Sequence, residues 1–210
     1  MSTASHGRTE HNLRRGFSLI ELMIVVTAAV IVTAMAIPVF SSIVRNLRGD
    51  GDLRALSSDT ALAKMRAAAS FSRARLRTDL TARSFQVEVW NKTTNSWAAE
   101  GGTQSLSNGV NFGFGSITSP PPNTQASIDQ AAACQTDAQT VANAAGNVAN
   151  TACIVFNSRG VPVDSTGAPT GNGAFYVNDG ASAQSVTVGA TGLIRTWRRD
   201  LVGSSSWRGR

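Results

Sequence analysis

Residues 22–40 form an uninterrupted run of 19 positions without a charge. At about 1.5 Å per residue a helix of that length covers roughly 28 Å, close to the hydrocarbon thickness of a bilayer. The pattern predicts one membrane-spanning helix near the N-terminus. Beyond it, apolar or small residues recur at Leu53, Leu56, Thr60, Ala63, Ala67, Phe71 and Ala74. That three- and four-residue spacing is the stripe of a helix with one buried face. Gly49 and Gly51 separate the span from the stripe and predict a break or flexible point at 49–52. The expected unit is one long helix in two parts, residues 17–40 in the membrane and residues 41–80 lying on a folded domain.

From residue 81 the period changes. Phe85, Val87 and Val89 alternate with Gln86 and Glu88, as in a half-buried strand. Further strands are expected from Trp97, over 110–114, 153–157, 174–177, 185–188 and 193–197, separated by turns rich in Gly, Asn and Asp. Three consecutive prolines, Pro120 to Pro122, exclude helix and central strand there. The segment 126–149, rich in Ala, Gln and Asn, reads as a short helix or an irregular excursion. A helix followed by antiparallel strands is an α+β plan, with residues 81–210 as the β-rich domain and 119–150 as an insert in it.

Composition narrows the function. The 210 residues carry a formal charge of +6, with 42% apolar and 15% charged residues, enough for a packed core. Both histidines, His6 and His11, precede the apolar span. A chain cut after Gly16 would hold none, which removes His-based acid–base, nucleophilic and metal chemistry. No phosphate-binding glycine motif is present, and the carboxylates form no recognisable pair. The expectation is a non-enzyme with no cofactor and no metal. Residues 1–16 hold Arg8, Arg14 and Arg15 against Glu10; the stretch after Gly192 holds Arg195, Arg198, Arg199, Arg208 and Arg210 against Asp200. Between them charges cancel, so after removal of residues 1–16 the excess charge would lie in a basic C-terminal tail.

The densest signal is Arg14-Arg15-Gly16-Phe17-Ser18-Leu19-Ile20-Glu21-Leu22. A basic leader meets an apolar helix at a glycine, and one carboxylate follows inside the oily segment. An unpaired carboxylate in hydrocarbon costs about 2.5–3.5 kcal/mol or more, so Glu21 calls for a partner. Cleavage after Gly16 would free an α-amine on Phe17, and such an amine on a neighbouring copy is a fitting counter-charge. These residues resemble the type III signal sequence of type IV prepilins and type II secretion pseudopilins. The resemblance implies cleavage between Gly16 and Phe17 by prepilin peptidase, N-methylation of Phe17 and recruitment of the next subunit by Glu21. It also matches Pro38 to the position where many such helices bend or melt. It implies a pilin-like fold, other pilins or pseudopilins and an inner-membrane assembly platform as partners, and a periplasmic domain behind a cytoplasmic N-terminus. Arg8, Arg14 and Arg15 before the span favour that orientation, against Arg45 and Arg48 after it. The plain alternative is a secretory signal ending at Ala34-Met35-Ala36, which would release a soluble binding domain.

Cys134 and Cys153 are the two cysteines. In an exported domain such a pair more often forms a disulfide than a redox or metal site; the alternative is two buried thiols. Segment 154–160 and the strands after it are similar to the C-terminal sheet of the subfamily that groups protein H of type II secretion with the FimT minor pilins. Some FimT-like proteins are thought to bind DNA near a G-R-x-R motif. Here Gly192-Leu193-Ile194-Arg195 lacks the first arginine, leaving Arg195, Arg198, Arg199, Arg208 and Arg210 as candidate DNA contacts, with Trp197 and Trp207 as stacking faces. The competing reading is a solvated tail with Trp197 partly in the core. Lys64, Arg66, Arg73, Arg75, Arg77 and Arg83 are expected to decorate the exposed helix face and the loop after it.

Overall fold

The computed structural model describes residues 17–137, 146–203 and 206–209, without the side chains at positions 38, 39 and 41. The chain divides into two compact units, Met1–Ile43 and Val44–Arg210. One helix, α1 (Leu19–Ala69), crosses that boundary. It starts where the chain allows it: Ser18 Oγ accepts the Glu21 N–H at 3.2 Å, an N-cap that satisfies one orphan donor of the first turn. Glu21 also lies in that first turn, where a negative charge complements the helix dipole.

The break expected at 49–52 is absent, and α1 is continuous through positions 38, 49 and 51. Tertiary contact explains the middle of it. Gly49 is buried where the helix meets Gln184; a Cβ there would lie 2.8 Å from Gln184 Nε2 and would have to push that amide aside. Asp50 Oδ1 accepts from Gln184 and Arg198 at 3.2 and 3.1 Å, and Asp52 accepts both the N–H and the hydroxyl of Ser107 at 2.9 Å. These bonds hold the turns that glycine weakens.

The helix also ends earlier than the 41–80 expectation. Ser72 N–H bonds back to the Ala67 carbonyl, and Phe71 takes a left-handed φ of 46°, the Schellman end of a helix. Ala74 belongs to β1 (Ala74–Asp79), whose alternation Ala74, Leu76, Thr78 faces the core.

Two antiparallel sheets follow. The first has the order β3-β2-β1-β5-β6, with β2 at Ser84–Asn91, β3 at Ser96–Ser105, β5 at Thr151–Phe156 and β6 at Pro162–Val163. The second has the order β10-β9-β8-β7-β4, with β4 at Asn111–Phe112, β7 at Gly173–Asn178, β8 at Ser182–Val188, β9 at Ile194–Asp200 and β10 at Arg208–Gly209. Leu53, Leu56, Ala63 and Ala67 of α1 pack with Leu76, Phe85 and Phe156 of the first sheet and Phe175, Val177, Val186 and Val188 of the second. The α+β plan of long helix and antiparallel sheet therefore stands, with the β-structure split into two sheets around one helix stripe.

Where the two sheets meet, the turn tips at Gly160 and Gly192 touch. Gly192, at φ 75°, would place a Cβ 2.6 Å from the Gly160 carbonyl oxygen, and Lys64 Nζ donates to the Gly192 carbonyl at 2.9 Å. The described part of the 119–150 insert is irregular. Gln125 and Gln130 lie on β7 of the second sheet, whose Tyr176 is flanked by Phe114 and Trp207 at 5.1 and 6.0 Å, while residues 132–137 and 146–150 lie on the first sheet. Gln130 closes the edge of β7 by accepting the Tyr176 N–H at 2.9 Å and donating to the Tyr176 carbonyl at 2.8 Å, as a neighbouring strand would.

Candidate functional site

Gly16 lies outside the described residues; Phe17 and Glu21 lie at the start of the apolar helix. Every described side chain from 17 to 37 is exposed, with Phe17 at 83% and Leu19 at 77%. Polar groups in this stretch are already satisfied along the helix: Thr27 and Thr33 donate to the carbonyls of Met23 and Ala29 at 2.7 Å. That is the state an apolar solvent demands of hydroxyls, leaving Glu21 as the one charge from 17 to 44. α1 is the described helix long and apolar enough to cross a membrane.

The cysteines form a disulfide, Cys134–Cys153, with Cα atoms 5.0 Å apart. It ties the insert to β5, whose alternate residues Cys153 and Val155 form a second apolar cluster with Val163. Around it the chain makes a short ribbon, with Thr136 N–H to Gly146 O at 3.0 Å and Val148 N–H to Cys134 O at 2.7 Å.

The basic cluster expected on the helix face is differently placed. Arg75 is buried, because the alternation of β1 turns it beneath the disulfide ribbon. Its Nε donates to Glu88 Oε2 at 2.6 Å, its Nη1 to the Gln135 carbonyl at 2.7 Å, and its guanidinium lies 3.9 Å over the Trp97 ring. Trp97 Nε1 in turn donates to the Asp137 carbonyl at 2.7 Å, so both side chains grip the ribbon's backbone. Burial would raise the Glu88 carboxyl, but the charge of Arg75 and hydrogen bonds from Gln86, Arg75 and Arg77 outweigh it and hold Glu88 below the usual carboxylate value. Lys64 and Arg66 are also engaged, with Gly192 and with Glu100 at 2.9 Å respectively.

The C-terminal arginines do not form one surface, and most of the expected tail is strand. Arg195 is exposed and shares a face of β9 with Trp197 and Arg199. Arg198 points the other way, toward α1, bonding Asp50 at 3.1 Å and Asn46 at 2.8 Å. Arg199 donates to Ser119 Oγ at 3.0 Å; Arg208 is exposed in β10; Arg210 lies outside the described residues. Trp197 Nε1 donates to Thr187 Oγ1 and Trp207 Nε1 to the Ser119 carbonyl, both at 2.9 Å, and Trp207 packs on Tyr176. Among the described residues no group of three acidic, cysteine or histidine side chains is placed to hold a metal.

A long helix, apolar over its N-terminal part, thus runs into a domain of two antiparallel sheets. Residues 11–37 match the family described as the prokaryotic N-terminal methylation motif. Among solved structures, the chain is similar to the minor pseudopilin EpsH of the type 2 secretion system of Vibrio cholerae. One such structure shows 11% identity over 78% of this chain and 96% of that one, at a TM-score of 0.35. Another shows 13% identity over 71% and 92%, at a TM-score of 0.42. Both superpositions are loose. No curated protein sequence matches the chain significantly.

Proposed function

We propose that this chain is a minor pilin or pseudopilin, a non-enzymatic subunit that enters a type IV pilus or type II secretion pseudopilus through α1 and acts in priming or at the tip. The observation that carries the reading is the wholly exposed apolar half of α1 with Glu21 as its one charge, inside a prepilin-type methylation motif. A carboxylate at that depth is stable next to a positive group, and the methylated amine of Phe17 on a neighbouring subunit supplies one. Prepilin peptidase removes residues 1–16, the N-terminus starts on the cytoplasmic side of the inner membrane, and the domain from Val44 lies in the periplasm. Other pilins or pseudopilins and the inner-membrane assembly platform are its partners.

DNA uptake through the C-terminal arginines takes second place, because Arg198 and Arg199 are engaged within the fold and Arg195 and Arg198 face opposite sides of β9. Two experiments test the proposal. Mass spectrometry of the mature protein is expected to find N-methylated Phe17, whereas a start near Ile37 would indicate a released soluble domain. Glu21→Ala is expected to leave membrane insertion intact and deplete the protein from sheared filaments. Equal incorporation of that variant, or a retained leader in filaments, overturns the reading.

A further inference from the structure

The chain holds two Asn-Gly pairs, Asn108-Gly109 and Asn172-Gly173. Glycine carries no Cβ, so the backbone nitrogen after the asparagine is unshielded and the chain there bends freely. That nitrogen can attack the asparagine side-chain carbon Cγ when the peptide between the two residues is free to rotate. Both asparagines are exposed, so exposure does not separate the pairs. Their peptides do. Val110 N–H donates to the Ser107 carbonyl at 3.0 Å, and Gly109 takes a φ of 88°, as the glycine of a type II turn does. The central peptide of such a turn, here Asn108 to Gly109, carries no part of the closing bond and can swing without breaking it. Space is open as well: a Cβ at Gly109 would meet nothing within 4 Å. The second peptide is clamped. The Asn172 carbonyl accepts Gln125 Nε2 at 2.8 Å, Gly173 begins β7 opposite Val188, and a Cβ there would lie 3.0 Å from Ile154 Cγ1.

We propose that Asn108 is a site of spontaneous deamidation, in which the Gly109 nitrogen closes a succinimide ring on the Asn108 side chain. The bond from Gly109 N to Asn108 Cγ forms and the Cγ–Nδ2 bond breaks. Nδ2 leaves as ammonia, taking up the proton released from the Gly109 nitrogen. Solvent water then opens the ring. Attack at Cγ restores the ordinary backbone and leaves aspartate; attack at the Asn108 carbonyl carbon reroutes the chain through the side chain as isoaspartate. Either product puts a new carboxylate on the turn. Ser107, one residue earlier, holds Asp52 of α1 through its N–H and its hydroxyl. The added negative charge, and in isoaspartate an extra backbone carbon, therefore falls beside the grip on an existing carboxylate. The reaction records the age of a molecule on the turn that clasps the middle of α1.

The test uses the full chain in detergent micelles, held in mildly alkaline buffer at body temperature. Peptide mass spectrometry follows each asparagine, since deamidation adds a single mass unit, and electron-transfer fragmentation separates isoaspartate from aspartate. Asn108 is expected to convert about tenfold faster than Asn172 or more, the factor for one hydrogen bond that only the clamped peptide must break. In denaturing urea the clamp is gone, the two pairs are chemically alike, and their rates should converge. Asn108→Gln lengthens the side chain, so the attacking nitrogen would have to close a larger ring; conversion at that position is expected to vanish over the same period. Equal rates at Asn108 and Asn172 in the folded chain, no conversion at Asn108, or a gap between the pairs that persists in urea overturns the proposal. None of these outcomes bears on assembly through α1.

Discussion

Replacing Arg75 by Met strips the charge that balances Glu88 while keeping most of the buried volume. The two side chains are 4% and 5% exposed, with Nη2 2.6 Å from Oε2. Removing one partner of such a pair costs about 3–5 kcal/mol, because a charge is left buried without compensation. Arg77 Nη1 at 3.2 Å and Gln86 Nε2 at 2.8 Å still hold the other carboxylate oxygen, which puts the expected loss near 3 kcal/mol. The double variant Arg75→Met/Glu88→Leu removes both charges and should recover most of it. A deficit of about 1 kcal/mol would remain, since the Gln135 carbonyl loses its donor. The loss should also depend on pH. A carboxylate held below its usual value adds stability above the ordinary carboxylate range and loses it as pH falls through the folded-state value. The Met variant has less of that stability to lose, so its deficit is largest near neutrality and shrinks below about pH 4. Urea unfolding of the full chain in micelles, followed by tryptophan fluorescence, measures both effects, because Trp97 reports directly on the guanidinium above its ring. A single-variant loss under about 1 kcal/mol, or one unchanged by pH, would refute the pairing argument.

Two backbone positions give opposite expectations in the same assay. Gly192→Ala forces a Cβ against the Gly160 carbonyl oxygen at a left-handed φ and should destabilise by about 2 kcal/mol or more, with a matching fall in Tm. Phe71→Gly should instead stabilise by about 1 kcal/mol, since the phenyl is 78% exposed and the residue sits at a helix end where glycine is unstrained.

Much of this molecule could be read along the chain, and the misses share a cause. The apolar span and the stripe from Leu53 to Ala67 were visible as periodicities, because one face of α1 meets one core. The far end was misread because Phe71 and Ala74 continue the helical spacing, while Ala74, Leu76 and Thr78 also satisfy a strand's alternation. Ser18 and Glu21 do form a cap-like S-x-x-E pattern, a signal that local rules contain and that the membrane argument obscured. Gly49 and Gly51 look like breakers only while Gln184, Ser107 and Arg198 are out of sight, more than fifty residues on. Arg75 illustrates the same point for charge. Its place in the strand is local, but the ribbon that buries it comes from an insert some sixty residues away. The methylation-type motif over residues 11–37 was legible because such a signal is written contiguously; a cavity beside β5 was not, being assembled from five separated segments.

The insert's packing leaves the molecule with an internal optical probe. Tyr176 is the sole tyrosine, enclosed between β7 and the insert, and its hydroxyl donates to Gln125 at 2.7 Å. Burial pushes its ionisation up to about 12. Ultraviolet absorbance of tyrosinate will therefore stay silent in the closed state across the alkaline range where a free phenol, near about 10, would ionise. Within that window the folded form retains a proton that the unfolded one gives up, so base progressively favours opening. Any agent that peels the 113–130 layer from its sheet announces itself as a new band, without a label.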